Sequence, residues 1–351
     1  MSATSSPSTV AADHGTLGLA GAARTGLSGA SWLAIVFFGG ALLFAATALS
    51  LGDAFYLRLA TEALIFGGLA LSVDLLLGRV GLLPLGQALF FGLGAYASAL
   101  VLKHWSDSFW LALFVALVIS AVIGLVAGVI AIRAKGVYFA LISFGLAQVL
   151  SKVVYNTREL GASDGVIGVP SAVLAPGLSS ATPAGFFLVV LGFMGALYLV
   201  LRYLMDTPAG RQLDAIRANE HRVAFLGVDP WRYKLGAFVA AACIAGTSGA
   251  LYPMLRGFVS PELMYFEVSG NAIINVIVGG TGTLIGSLFG SALLTGLRSI
   301  VGSFTTHHHI VIGALFVIVV IVMPRGIVGY ATPALQRWLD ARRPKRQGEL
   351  A

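Results

Sequence analysis

Runs of mostly fourteen to twenty-four apolar residues, almost free of charge, recur through this sequence and constrain its fold more than any other feature. They are Trp32–Leu51, Leu57–Leu77, Leu82–Leu102, Phe109–Ile132, Val137–Tyr155, Phe186–Leu204, Leu235–Leu255 and Ile310–Met323. An α-helix rises about 1.5 Å per residue, so about 20 apolar residues cross a hydrocarbon core about 30 Å thick. Lipid supplies no partners for backbone N–H and C=O groups, so such runs must close their hydrogen bonds internally as helices. The apolar–polar alternation of a membrane barrel is absent. Charged residues make up 11% of the chain and hydrophobic ones 58%, against about 25% and 45–50% in soluble domains. The fold class expected is an all-α polytopic membrane protein.

A ninth region, Gly270–Gly302, is apolar but studded with glycine, including Gly279-Gly280-Thr281-Gly282. Each interior glycine costs a helix roughly 1 kcal/mol relative to alanine. This region reads as a broken or re-entrant helical pair, which brings the expectation to about eight full spans plus that pair. Residues 1–30, rich in Ser, Thr, Ala and Gly with no hydrophobic period, read as a disordered tail. Residues 31–329 form the transmembrane domain, and 330–351 a basic tail.

Charge decides orientation. With the N-terminus in the cytoplasm and spans alternating, all but six of the 22 lysines and arginines fall inside, among them Arg79, Arg133, Lys135, Arg202, Arg217, Lys234 and the six of the C-terminal tail. The exceptions are Arg58, Lys103, Lys152, Arg158, Arg256 and Arg298. This asymmetry is the positive-inside pattern and places both termini in the cytoplasm. It also accounts for the net charge of +7 without a nucleic-acid partner.

Between two spans lies the longest charged interval, Asp206–Lys234. Thr207-Pro208 reads as a helix start and Gly227 as its stop. Leu213, Ile216, Val223 and Leu226 recur at helical spacing with Arg211, Asp214, Arg217, Glu220 and Arg222 on other faces. The expectation is one amphipathic helix outside the bilayer. Spacing alone leaves two uses open: docking in the groove of a soluble ATPase, or lying on anionic lipid head groups.

Candidates for chemistry are few. Ser248 in Gly246-Thr-Ser-Gly249 resembles an intramembrane nucleophile, but small residues at that spacing let helices pack. His307-His308-His309 has no nearby acidic or thiol ligand and reads as an exposed turn, and Cys243 as a packing residue. Glu62, Asp74 and Glu267 read as interfacial rather than as ion-coupling relays. The chain has no GxxxxGK[ST] phosphate loop, so energy for pumping must come from elsewhere, and Asp206–Lys234 is where it could enter.

Six ordered motifs then carry a resemblance: Gly78–Tyr96 (GRVGLLPLGQALFFGLGAY), Lys135–Leu141 (KGVYFAL), Gly161–Val166 (GASDGV), Gly210–Glu220 (GRQLDAIRANE), Gly279–Leu284 (GGTGTL) and Pro324–Gly329 (PRGIVG). Over roughly Leu57–Gly329 the chain resembles the branched-chain amino acid ABC transporter permease family, LivM type. The resemblance implies an inner-membrane permease subunit without catalytic residues, metal or bound cofactor of its own. Its partners would be a second homologous permease, two ABC ATPases that use ATP and Mg, and a periplasmic solute-binding protein. It assigns ATPase coupling to Gly210, Arg211, Ile216, Arg217, Asn219 and Glu220. Pro84, Gln87, Gly279, Gly280 and Gly282, at irregular helix ends, become candidates for the translocation path; Pro84 stands where the family has a serine. Ser163 and Asp164 become candidates for binding-protein contact, with a capping turn as the structural alternative. Alternatives are the same architecture importing urea or short amides, and a stand-alone secondary transporter or channel.

Overall fold

Lipid-length helices account for most of the chain. The computed structural model describes residues 29–50, 52–175 and 178–304, and parts of 310–332. The N-terminal segment to residue 28, His307–His309 and the basic tail lie outside the described residues, as does much of the run Ile310–Met323.

The helices are α1 (Gly29–Ser50), α2 (Ala54–Asp74), α3 (Gln87–His104), α4 (Phe109–Ala131), α5 (Val137–Asn156), α6 (Pro183–Asp206), α7 (Pro208–Ala218), α8 (Glu220–Phe225), α9 (Pro230–Arg256), α10 (Phe266–Gly279) and α11 (Ile285–Phe304). Among the described residues, seven are long and apolar enough to cross a membrane: α1, α2 with its extension to Val80, α4, α5, α6, α9 and α11. The helix ends follow local chemistry. Asp53 caps α2 by accepting the N–H of Phe55 at 3.0 Å, and Asp229 caps α9 by accepting that of Trp231 at 3.1 Å, with Pro230 in the first turn.

Helix α3 sits at the centre, packed against α4 and α9, with α2 on the other side of α9. It is buried on nearly every face, as expected of a helix apolar all round. Small residues permit the close approach: a Cβ on Gly94 would strike the Gly246 backbone, and one on Gly249 the Phe91 backbone. Phe66, Phe91 and Tyr252 fill the space between α2, α3 and α9, the two phenylalanines stacked at 5.5 Å. Ser248 belongs to this packing. It is fully buried, donates to the Ile244 carbonyl at 2.7 Å and abuts Gly68.

The glycine-rich region is a hairpin of α10 and α11 joined at Gly280–Leu284. At 14 residues, α10 rises only about 21 Å. The chain before it, Pro261–Met264, turns down among the helices, with Met264 buried against Gly92. Two short ribbons cover the end of the bundle where α2 begins: β1 (Val166–Ile167) pairs with β4 (Phe258–Val259), and β2 (Val173–Ala175) with β3 (Leu178–Ser179).

The two ends of the bundle sort the cations as the sequence orders them. Arg79, Arg202, Arg217 and Lys234 gather at one end, tied respectively to Asp214, Ser31, Gly78 and Glu220. Arg58, Arg256 and Arg298 converge at the other.

Candidate coupling site

The interval Asp206–Lys234 holds two helices, which corrects the expectation of one. Helix α7 stops at Asn219, whose extended backbone (φ −163°, ψ 99°) breaks the ladder. The Asn219 side chain then accepts the N–H of Arg222 at 3.0 Å and caps α8. Asn-Glu is a helix-start signal that the continuous apolar spacing obscured. Thr207 occupies the cap position of α7, but its hydroxyl turns back to the Leu204 carbonyl at 2.5 Å. Gly227 ends the pair at φ +82°.

Leu213, Ile216 and Val223 are buried beneath the two helices. Leu226 is not: Phe225 is 92% and Leu226 78% exposed, side by side at the tip of α8. Of the six residues that the resemblance assigns to coupling, four face their own chain. Gly210 packs on the Met205 backbone, where a Cβ would not fit. Ile216 is buried, Arg217 donates to the Gly78 carbonyl, and Glu220 accepts from Lys234 at 2.8 Å. Lys234 is itself almost buried, so that pair satisfies a cation that could not otherwise leave water. Arg211 and Asn219 are exposed.

The receiver of Arg217 is the end of α2, which continues past Asp74 as a wider π-helical turn, Leu75–Val80, closed by Gly81 at φ +80°. The last carbonyls of a helix lack partners within it, and Gly78 offers one to the guanidinium. A second link runs beside it from Arg79 to Asp214, at 3.3 Å.

Directly behind Gly78 lies the turn of the α10–α11 hairpin. Gly282, at φ +79°, presses its backbone against Gly78 so closely that a Cβ on Gly78 would collide with it. Asp74 accepts the N–H of Gly282 at 2.6 Å and that of Leu284 at 2.8 Å. Asp74 is fully buried, which corrects its reading as interfacial. The extension of α2 to Val80 sets it inside the protein rather than at the end of the span. Glu62, by contrast, is an ion-pair partner, of Arg256 at 2.6 Å.

Translocation candidates separate into two places. Gly279, Gly280 and Gly282 sit at the hairpin turn, at the α7 end of the bundle. Pro84 and Gln87 lie buried in and after the loop that joins the α2 extension to α3. The Nε2 of Gln87 has no hydrogen-bond partner among the described residues. At the opposite end, Ser163 and Asp164 are exposed on a turn whose own hydroxyl–carboxylate bond is 3.1 Å, and the β1–β4 pairing that follows fixes the turn to α9.

Among the described residues, seven helices of membrane-crossing length, with two short helices, α7 and α8, braced against the turn of the α10–α11 hairpin through Gly78, define a polytopic helical membrane protein. Comparison of the sequence with known families narrows this. Residues 55–320 match the family described as "Branched-chain amino acid transport system / permease component", and the chain belongs to that family. It is 30% identical over 302 residues to the high-affinity branched-chain amino acid transport system permease protein LivM of Salmonella typhimurium (strain LT2), covering 79% of this chain and 71% of that protein. The same figures hold for LivM of Escherichia coli K12. LivH of S. typhimurium is 28% identical over 138 residues, covering 39% of this chain and 44% of LivH. No solved structure matches the chain.

Proposed function

We propose that this chain is a permease subunit of an ATP-driven importer, moving branched-chain or related amino acids across the bacterial inner membrane. Family membership supports the substrate class, and one structural observation supports the mechanism. The α7–α8 pair holds an exposed apolar tip, Phe225 and Leu226, while Arg217, Arg79 and Lys234 bind it to the transmembrane helices behind.

In this reading Phe225 and Leu226 seat in a groove of an ABC ATPase, as apolar residues of an amphipathic helix do. ATP and Mg are bound by the two ATPases. Closure of the ATPases displaces α7–α8 as a unit, because three polar links resist its sliding. Arg217 passes the displacement to Gly78, and Gly78 to the hairpin turn at Gly282. A second, homologous permease completes the pathway, and a periplasmic binding protein delivers solute at the end bearing Ser163 and Asp164. Both termini are cytoplasmic, in keeping with the basic residues at the α7 end.

The test is reconstitution with partner subunits and measurement of ATP hydrolysis and uptake together. Arg217→Ala with Glu220→Ala should leave hydrolysis running while uptake falls at least tenfold. Uptake equal to wild type in that variant would remove the lever from the mechanism. Uptake that a proton uncoupler abolishes while ATP is maintained would point instead to a secondary transporter.

A further inference from the structure

Three of the six basic residues on the arginine-poor side of the sequence, Arg58, Arg256 and Arg298, come from three different helices and meet at one cleft. Its volume is about 500 Å³, within the range of small-molecule sites. Arg58 lies in the first turns of α2, Arg256 ends α9, and Arg298 lies near the end of α11.

Only one of the three is neutralised. Glu62 stands four residues after Arg58, the spacing at which a helix places two side chains on one face. It nevertheless pairs with Arg256, at 2.6 Å. Arg58 and Arg298 have no ion-pair partner among the described residues. The cleft therefore carries two uncompensated guanidinium groups, in a part of the chain where topology disfavours basic residues.

Of the rest of the lining, Thr295 and Ser299 bring hydroxyls, and Leu59, Phe66 and Leu255 are among the apolar walls. A smaller cavity of about 70 Å³ shares Phe66, Thr295 and Arg298 with the cleft and extends it inward between α10 and α11. Asn275 lines it; this amide is 7% exposed and makes no side-chain hydrogen bond among the described residues. Cations at the mouth, apolar walls and an unpartnered amide deeper in make a ligand path rather than a structural ion-pair network. A more apolar groove, about 420 Å³ between α1, α2 and α11, carries no charged side chain.

We propose that this cleft is the outer vestibule of the permease and that Arg58 and Arg298 together bind the carboxylate of an aliphatic α-amino acid there. This rests on the reading of the chain as an importer subunit and adds the chemistry by which its solute is held. Guanidinium forks match a carboxylate in two-pronged geometry. Glu62 binds Arg256 through one carboxylate oxygen and offers the other to the solute ammonium. Phe66 and Leu59 receive the side chain. Urea and neutral amides bring no charge to offset the two arginines, so the cleft discriminates against them.

The test is saturation-transfer NMR on the full chain in lipid nanodiscs, with leucine and leucinamide as probes. Leucine should bind, leucinamide should bind at least tenfold more weakly, and Arg58→Gln with Arg298→Gln should weaken leucine at least tenfold. Arg58→Lys with Arg298→Lys, which keeps the charge and removes the forks, should fall between. Equal binding of leucine and leucinamide, or leucine binding unchanged in the glutamine variant, overturns the proposal. Both arginines are exposed, so thermal unfolding of these variants should match wild type. Should the glutamine variant unfold, the lysine pair carries the same decision. Leucine uptake by the reconstituted transporter separates the two levels. Uptake by wild type and the glutamine variant alike sinks the vestibule and leaves the importer standing. No leucine uptake by wild type, with leucine still bound through the arginines, sinks the import reading and leaves the vestibule.

Discussion

Asp74 accepts the backbone N–H of Gly282 at 2.6 Å, joining positions 208 residues apart in sequence. The bond fixes the hairpin turn to the end of α2, where Arg217 also arrives. Its neighbour Leu284 holds a positive φ of 60°, a conformation that costs a non-glycine residue roughly 1–2 kcal/mol. Asp74 offsets that cost by accepting the Leu284 N–H as well. Replacing Asp74 by Asn leaves one acceptor for two buried donors and turns an amide N–H₂ toward them. An unsatisfied buried donor costs about 1–3 kcal/mol. Asp74→Asn should therefore lower the thermal midpoint of the full chain in detergent by several degrees, and Asp74→Glu, which keeps the charge but is a methylene too long, should restore only part. A midpoint equal to wild type in Asp74→Asn would show that the turn holds itself.

Gly78 is where Arg217 of α7 and the hairpin turn meet. A methyl group there meets the Gly282 backbone and the Asp74 carboxylate, neither of which is a flexible chain end. Gly78→Ala should force the two apart by a fraction of an ångström and cost about 1–3 kcal/mol as an overpacked contact. In the proposed mechanism it should also reduce uptake more than hydrolysis, which paired assays on one reconstituted preparation would read.

Much of the bundle was legible in the sequence because a lipid-facing span needs only length and apolarity, and both are local properties. Val137–Tyr155, for instance, was expected within one residue of helix α5, Val137–Asn156. Broken continuity at Gly279–Gly282 was legible for the same reason. The site was less so. Asp74 looked interfacial because a π-helical extension of α2 leaves no apolar periodicity to count, and its partners are backbone amides two hundred residues on. The break at Asn219 was hidden because Ile216 and Val223 remain on one apolar side across it. Which arginines fall on the arginine-poor side of an alternating topology was countable, but that Arg58 and Arg298 share a cleft depends on how α2 packs on α11.

Asn219 separates the two short helices by capping the second. Removing a cap of this kind costs about 1 kcal/mol. Asn219→Ala should loosen α8 without unfolding the bundle, since Val223 and the Lys234–Glu220 pair still hold it. Hydrogen exchange should quicken at Arg222 and Val223 and stay unchanged in α7, whereas equal protection throughout would mean that the cap is redundant.

Phe225 and Leu226 expose their apolar side chains at the tip of α8, where burial against this chain contributes nothing to holding them. Truncating both to alanine should leave the thermal midpoint unchanged, because no packed neighbour is lost. If the tip seats in an ATPase groove, the same change removes a central apolar anchor, and residues of that kind carry about 2 kcal/mol or more each at interfaces. Co-purification of the ATPase with Phe225→Ala, Leu226→Ala should then fall by well over tenfold, while Arg222→Ala, on the same short helix, changes it little. A lipid-surface role predicts the reverse. The ATPase would stay bound, and the double variant would instead lose protection of α8 when the protein is moved from detergent into anionic vesicles. The two uses that apolar spacing left open are thus separated by one pair of side chains.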